Sequence, residues 1–296
     1  MRIGVPAGGG LVLVLAPLLA SAQTPPVFRA EVGSTYVDVI VSNGGRPVPG
    51  LTASDFELED DGVLQQVELV SAESRPVQAL LVFDASSSVA GEKVVALRAA
   101  GEAFLDGLRS TDEAALVVFS EEIALLAPPT VDRAAVRGAL AGLRPRGSTA
   151  VFDALHAALV LADTRGRALV VLFTDGEDNT SILGERELRA AAQRSNATVH
   201  VVGLRDPGAS PLTPETAQVR ALREIAQGSG GRFWTAESPA RLREAFASIA
   251  ASMGERYVLR YEPQGPKKEG WHPLSVRLRK AKGTVQARRG YWVTSR

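Results

Sequence analysis

Five oxygen-bearing side chains stand where they could hold a divalent cation. Asp84, Ser86 and Ser88 follow the apolar run "LLVF", Thr149 ends the stretch "RGST", and Asp175 follows the apolar run "VVLFT". Hard cations choose oxygen ligands, and Mg²⁺ takes six of them in octahedral geometry. Short hydroxyl side chains can touch such an ion directly, while carboxylates can hold it through ordered waters. These residue types therefore predict a metal site built from three separate stretches of the chain.

The five side chains can meet only if the apolar runs before them are neighbouring strands. Four such runs, "VQALLVFD", "AALVVFS", "ALVVLFTD" and "ATVHVVGL", do not alternate with polar residues, which indicates strands covered on both faces. Helical patterns lie between the runs, so we predict an α/β fold with a doubly wound, mostly parallel sheet and right-handed crossovers. Ligands bind to such sheets beyond the carboxyl ends of the strands, near the point where strand order reverses.

The segments that flank this α/β unit are predicted to be rich in β-strands. "TYVDVIV" and "FELEDDGVLQQVELV" precede it, and "YVLRYEP" and "PLSVRLRK" follow it. Residues 23–76 hold 9 acidic and 3 basic residues, whereas residues 254–296 hold 11 basic and 3 acidic ones. We expect the oppositely charged ends to pack together in a small β-sandwich, the alternative being a basic tail that touches an anionic envelope polymer. The predicted segments are a signal peptide at 1–22, an N-terminal β segment at 23–75, the α/β domain at 76–253 and a C-terminal β segment at 254–296.

The N-terminus has the pattern of a secretion signal. Arg2 supplies a positive charge, "GLVLVLAPLLA" is apolar, and "ASA" at residues 20–22 suits cleavage. The apolar stretch is shorter than the roughly 20 residues that span a membrane. We therefore predict an extracytoplasmic protein, periplasmic or secreted, with no integral membrane segment after cleavage; a retained anchor is the alternative.

Composition and missing motifs argue against several classes of function. The formal net charge is zero, which favours no nucleic-acid partner, and the absence of cysteine excludes disulfides and thiolate chemistry. The chain has no Gly-x-Ser-x-Gly elbow, Walker loop or His-Glu-x-x-His pair. Haloacid-dehalogenase-like hydrolases would use Asp84 as a nucleophile, but they need a second aspartate at the position of Ser86. We predict that the protein is not an enzyme, and keep a metal-dependent hydrolase as the weakest alternative.

The ordered set of motifs resembles the metal-ion-dependent adhesion site of von Willebrand factor type A domains. The resemblance covers about residues 76–251, and the flanking β segments look like those of secreted bacterial proteins that carry this domain. It implies a site for Mg²⁺, or for Mn²⁺ or Ca²⁺, that captures an acidic side chain of a protein partner; a scaffold subunit of a cell-envelope complex is the alternative. The implied metal ligands are Asp84, Ser86, Ser88, Thr149 and Asp175. The chain departs from the family at Ser87 and Val89, where glycine and methionine are common, and this departure puts the flexibility of the loop in doubt.

Each of these signals also has a purely structural interpretation. Ser86 or Ser88 could cap the helix that is predicted to begin near Gly91, since serine is a favoured N-cap residue. Thr149 could cap the next helix. Asp178 and Asn179, which follow the last predicted ligand, are expected to be solvated turn residues.

Overall fold

The computed structural model describes residues 34–44, 46–71, 76–162, 167–204, 216–264 and 268–294, and the predicted signal peptide lies outside them. The strands are β1 (Thr35–Asn43), β2 (Arg46–Pro47), β3 (Phe56–Asp60), β4 (Val63–Gln65), β5 (Glu68–Val70), β6 (Val77–Asp84), β7 (Glu113–Phe119), β8 (Ile123–Thr130), β9 (Arg167–Thr174), β10 (Thr198–Leu204), β11 (Phe233–Ala236), β12 (Tyr257–Tyr261), β13 (Gly270–Leu278), β14 (Thr284–Ala287) and β15 (Gly290–Val293). The helices are α1 (Glu92–Asp106), α2 (Arg133–Ala141), α3 (Val151–Ala162), α4 (Glu185–Arg194), α5 (Ala217–Gly228) and α6 (Pro239–Gly254). Among the described residues, no helix combines the length and the apolar character needed to cross a bilayer.

Six strands form the central sheet in the order β11-β10-β9-β6-β7-β8. Neighbouring strands are parallel except for β7 and β8, which pair antiparallel at one edge. The chain leaves β6 toward β7 and later returns to the other side of β6 as β9, so strand order reverses between β6 and β9. This topology confirms the predicted doubly wound, mostly parallel sheet. It also puts the reversal between the two strands that lead to Asp84 and Asp175.

Helices cover both faces of the central sheet, which explains why its strands do not alternate between apolar and polar residues. In β6, Leu81 and Phe83 belong to the core under helices α1, α2 and α6. Leu80 and Val82 belong to the opposite core, under helices α3, α4 and α5. Successive side chains of a strand point to opposite faces, so a strand that is covered twice needs an apolar residue at nearly every position.

The two ends of the described chain share a β-sandwich. One sheet has the order β14-β1-β12-β5, with β2 paired to β1, and the other has the order β15-β13-β3-β4. Strand β1 lies antiparallel between β12 and β14, and β3 is antiparallel to β13, so each sheet contains strands from both ends of the chain. The buried core between the sheets comprises Val37, Val39, Val41, Phe56, Leu58, Leu259, Tyr261 and Leu274. The predicted sandwich of flanking segments is confirmed.

Asp38 in β1 joins the sandwich to the α/β part of the protein. Its Oδ1 lies 3.0 Å from the Arg167 guanidinium at the start of β9, and its Oδ2 lies 3.1 Å from the Arg256 guanidinium just before β12. The arginine side chains are only 6% and 3% exposed, and that of Asp38 is 24% exposed. One carboxylate therefore lies between two buried cations.

A second buried titratable group, His200 in β10, is held in its neutral form. Its Nδ1 accepts a hydrogen bond of 3.3 Å from the Trp234 indole N–H. No hydrogen-bond partner for its Nε2 is found in the described part of the chain. Burial, followed by the positive charges of Arg256 and Arg232, lowers the pKa of His200 to about 3.

His200 should make the fold sensitive to acid. Because its folded pKa is far below the ordinary value of about 6.5, the unfolded chain binds more protons below that pH, and stability is lost as the pH falls. Acidification to about pH 4.5 should lower the free energy of unfolding by about 3 kcal/mol through this residue alone. Urea unfolding of the wild type and of His200→Gln, at about pH 7.5 and pH 4.5, isolates this effect. An equal loss of stability in both proteins would contradict the assignment.

Candidate metal centre

Asp84 and Asp175 lie close together at the carboxyl ends of the central strands β6 and β9, because these two strands are neighbours. Asp84 is the last residue of β6, and Asp175 follows the last residue of β9. The two strands are parallel and in register from Val77 opposite Arg167 to Phe83 opposite Phe173. Their carboxyl ends therefore meet where strand order reverses, as the sequence predicts.

Asp84 is a fully buried carboxylate whose hydrogen bonds come from neutral groups. Its Oδ1 accepts from the Ser86 backbone N–H at 2.9 Å, and its Oδ2 accepts from the Thr174 hydroxyl at 2.9 Å. Burial raises the pKa of Asp84; these hydrogen bonds oppose the shift, and the nearby charge of Asp175 adds to it. A cation at this edge of the sheet would relieve that cost, because a buried charge is expensive unless it is paired.

Ser86, Ser88 and Asp175 form one hydrogen-bonded chain. The Ser88 hydroxyl donates to Asp175 Oδ1 at 2.6 Å, and the Ser86 and Ser88 hydroxyl oxygens are 2.9 Å apart. The capping interpretation is wrong for both serines: the N-cap of α1 is Gly91, and no side-chain cap hydrogen bond is formed there. The two hydroxyls instead face the end of β9.

Thr149 comes to the same place from the loop before α3. It is 4% exposed, and a Cβ built on Gly176 would lie 3.9 Å from its hydroxyl oxygen and 3.8 Å from that of Ser88. The hydroxyl oxygens of Thr149 and Ser88 are thus both within 4 Å of the same position beside Gly176, so they are less than about 8 Å apart. Gly176 leaves this space open because it has no side chain.

Hydrogen bonds hold the loop after Asp175 to the start of α3. Asn179 is exposed and Asp178 half-buried, so Asn179 is solvated as expected and Asp178 is so in part, but the side chains of both also accept hydrogen bonds from backbone N–H groups in or just before α3. Asn179 and Thr149 exchange two hydrogen bonds of 3.0 Å, one from each backbone N–H. Asp178 Oδ2 accepts from the Phe152 N–H at 2.8 Å and from the Ser181 hydroxyl. Acceptors from this loop therefore satisfy backbone N–H groups in the first turn of α3. The two hydrogen bonds to Asn179 hold the backbone of Thr149 in place.

Lys93 is a further charged residue at this edge that the sequence interpretation missed. Its ammonium lies 2.6 Å from Asp175 Oδ2, and the Asp175 side chain has no exposed surface. The arrangement shows that the edge accommodates positive charge beside its carboxylates. Two carboxylates and three hydroxyls, one of the carboxylates buried among neutral donors, fit a hard divalent cation.

A second cluster of metal-ligating types lies in the sandwich and is separate from the predicted site. Ligand atoms of Asp60, Asp61 and His272 lie within 4.8 Å of one another. Both ring nitrogens of His272 are already hydrogen-bonded, one to Asp61 and the other to the carbonyl of Lys268. Asp60 Oδ2 accepts hydrogen bonds from two tyrosine hydroxyls. These contacts tie β12, β13 and β15 to the end of β3 and the turn after it, and the same three side chains are close enough together to hold a metal ion.

Known proteins share this sequence pattern and this fold. Residues 79–177 match the profile of the von Willebrand factor type A domain, and that range includes all five predicted ligands. A UPF0353 protein of Mycolicibacterium paratuberculosis is 27% identical over 206 residues, which is 60% of this chain and 61% of the relative. One from Nocardia farcinica is 26% identical over 209 residues, 59% and 62% of the two chains. The matched part therefore spans less than two thirds of the length of these relatives.

Two solved structures share the fold at low sequence identity. A von Willebrand factor type A protein from Catenulispora acidiphila has a TM-score of 0.53 and 19% identity, over 83% of this chain and 75% of its own. Proximal thread matrix protein 1 from the mussel byssus has a TM-score of 0.50 and 18% identity, over 65% and 49% of the two chains. With the profile match and the sheet topology, these similarities give one conclusion. This protein contains a von Willebrand factor type A domain.

Proposed function

We propose that the protein binds a divalent cation at the carboxyl edge of its central sheet and uses it to capture an acidic side chain of a protein partner. Mg²⁺ is the proposed ion, with Mn²⁺ and Ca²⁺ as substitutes. The proposed ligands are Asp84, Ser86, Ser88, Thr149 and Asp175. The observation that carries the proposal is Asp84, a carboxylate with no exposed surface whose hydrogen-bond donors in the described chain are neutral.

Each group has a distinct part in this proposal. Ser86, Ser88 and Thr149 offer uncharged oxygens, which leave most of the charge of the ion available to an acidic ligand. Asp84 and Asp175 supply the negative charge that holds a cation at this edge. When bound, the ion would supply an open coordination position for a carboxylate of the partner.

We propose binding rather than catalysis at this site. The residue two positions after Asp84 is Ser86, whose hydroxyl lies against that of Ser88, so the general acid that a phosphoaspartate hydrolase needs at this position is missing. The same proposal puts the protein outside the cytoplasm, on the strength of the signal-like pattern of residues 1–22.

Addition of divalent metal should stabilise the folded protein. A ligand that binds only the folded state adds about 2.7 kcal/mol at a hundredfold excess over Kd, which corresponds to roughly 5–10 °C in Tm for a chain of this size. Thermal unfolding in chelator and in millimolar Mg²⁺, Mn²⁺ or Ca²⁺ measures the shift. An unchanged Tm with all three ions would refute the metal site. A partner pull-down that survives chelator would refute metal-bridged capture.

A further inference from the structure

Lys93 connects two loops of the proposed metal centre through an ion pair. It lies in the first turn of α1, whereas its partner Asp175 follows β9, 82 residues later in the chain. The ammonium is 2.6 Å from Asp175 Oδ2. The Lys93 side chain is 33% exposed, but that of Asp175 has no exposed surface. One end of this ion pair can therefore move into water while the other stays buried.

Both oxygens of Asp175 are already engaged by protein groups. The Ser88 hydroxyl donates its single proton to Oδ1 at 2.6 Å, and Lys93 occupies Oδ2. The Ser86 hydroxyl oxygen lies 2.9 Å from that of Ser88, and the Ser86 side chain is also hydrogen-bonded to Asp84. The polar chain runs from Ser86 through Ser88 and Asp175 to the Lys93 ammonium.

We propose that Lys93 is a built-in competitor that takes the place of the divalent cation at Asp175 and thereby sets the affinity of the metal centre. This inference rests on the proposed metal-binding function. A buried carboxylate needs a positive partner, and without metal the ammonium is that partner. When a divalent ion takes over the charge, the flexible lysine stem lets the ammonium return to solvent with little loss of packing.

Removal of the ammonium should therefore tighten metal binding. The Lys93 side chain is 33% exposed, so water partly screens its ion pair with Asp175. The interaction energy of this pair therefore lies between the small value for two charges in bulk water and the larger value for two charges at a protein surface. We expect Lys93→Gln to lower the Kd for Mg²⁺ about tenfold, measured by titration calorimetry on the full chain. The matched control is Arg146→Gln. Arg146 is 77% exposed, and its backbone N–H binds the carbonyl of Ala85 beside Asp84, but its charge faces Glu122. The control should change the Kd by less than about twofold, since exposed pairs contribute little.

Although Lys93→Gln should bind Mg²⁺ more tightly than the wild type, it should be the less stable protein in chelator. Without metal, Lys93→Gln leaves Asp175 buried without this ammonium, so its Tm should fall below that of the wild type. In saturating Mg²⁺ the two Tm values should converge or cross. A variant that is destabilised equally in both conditions would show that Lys93 only supports the fold, and would overturn the inference.

Chemical labelling of the ammonium gives a readout that a purely structural lysine would not change. Acetylation of Lys93 by an amine-reactive ester, followed by mass spectrometry, should increase severalfold when Mg²⁺ replaces chelator. Lys280, in the loop after β13, serves as the internal control and should react equally in both conditions. Labelling of Lys93 that does not respond to saturating metal would contradict competition for Asp175.

The titration results distinguish failure of this inference from failure of the proposed metal-binding function. If the wild type and Lys93→Gln bind Mg²⁺ with equal Kd, competition by Lys93 is refuted and the metal centre stands. If neither protein, nor the control, binds any divalent ion, the metal centre itself is refuted, and the inference falls with it. If only Lys93→Gln binds at millimolar metal, the competition is supported in its strongest form.

Discussion

Asp84→Asn should abolish the stabilisation of the protein by Mg²⁺ and raise its stability in chelator. Burial raises the pKa of Asp84, so the folded state disfavours the ionised side chain relative to the unfolded state. Above that pKa the charge costs stability, and the neutral amide removes the cost. The amide also fits: its oxygen can accept from the Ser86 N–H, and Thr174 can turn its hydroxyl toward the Gly176 carbonyl, which lies 3.2 Å away. Without the carboxylate, the metal-dependent gain of about 2.7 kcal/mol should disappear.

Asp112→Asn is the matched control for this prediction. Asp112 is also a buried aspartate, but it directly precedes β7 and so lies at the amino ends of the parallel strands, away from the proposed metal centre. Burial works against ionisation there too, yet hydrogen bonds from Arg109 and from the Val77 N–H lower the pKa of Asp112 overall. The control should lose stability in chelator and keep its full response to Mg²⁺. Urea unfolding with and without metal compares the two variants. A metal response that persists in Asp84→Asn would remove Asp84 from the site.

Asp38→Ala should be among the most destabilising single substitutions in the chain. The change leaves the guanidinium groups of Arg167 and Arg256 buried without their shared carboxylate, and their charges repel each other. Removal of one partner from a buried ion pair typically costs 3–5 kcal/mol. Since Asp38 is 24% exposed, we expect about 3 kcal/mol, at the lower end of that range. Urea unfolding at neutral pH measures it.

The control for Asp38 is an ion pair of the same chemistry at the surface. Arg241 and Glu244 are 2.8 Å apart in α6, with side chains 70% and 61% exposed. Glu244→Ala should cost no more than about 0.5 kcal/mol, because exposed pairs are screened and mobile. Equal effects of the two substitutions would show that burial of the arginines contributes nothing at the junction.

The elements of the central sheet could be predicted because their pattern is local. The run "VVLFT" has no polar alternation, and all eight residues of β9 are buried. A strand that is covered on both faces shows a continuous apolar run, and this pattern can be recognised in any window of a few residues. The positions of Asp84 and Asp175 at strand ends follow from the same pattern. The pairing of the flanking strands could be anticipated from their opposite charges, but the register of β1 with β12 and β14 could not.

The capping interpretation of Ser86 and Ser88 was wrong for a reason that lies outside their own segment. Local sequence favours serine as an N-cap. The end of β9, brought alongside by the sheet, offers Ser88 a charged acceptor, and charge-assisted hydrogen bonds are stronger than neutral ones. Long-range packing also brings Asp178 and Asn179 into hydrogen bonds with the start of α3, although Asn179 remains exposed.

The amino-acid sequence by itself determined which oxygen-bearing residues end the buried strands and begin the helices, because hydrophobic periodicity and residue type are local properties. Only the tertiary structure decided that Lys93 meets Asp175 and that Asn179 holds Thr149. These pairs are 82 and 30 residues apart, and they meet only because the reversal of strand order sets β9 beside β6. Contacts at such separations depend on strand order and loop packing, which no local pattern of residues specifies.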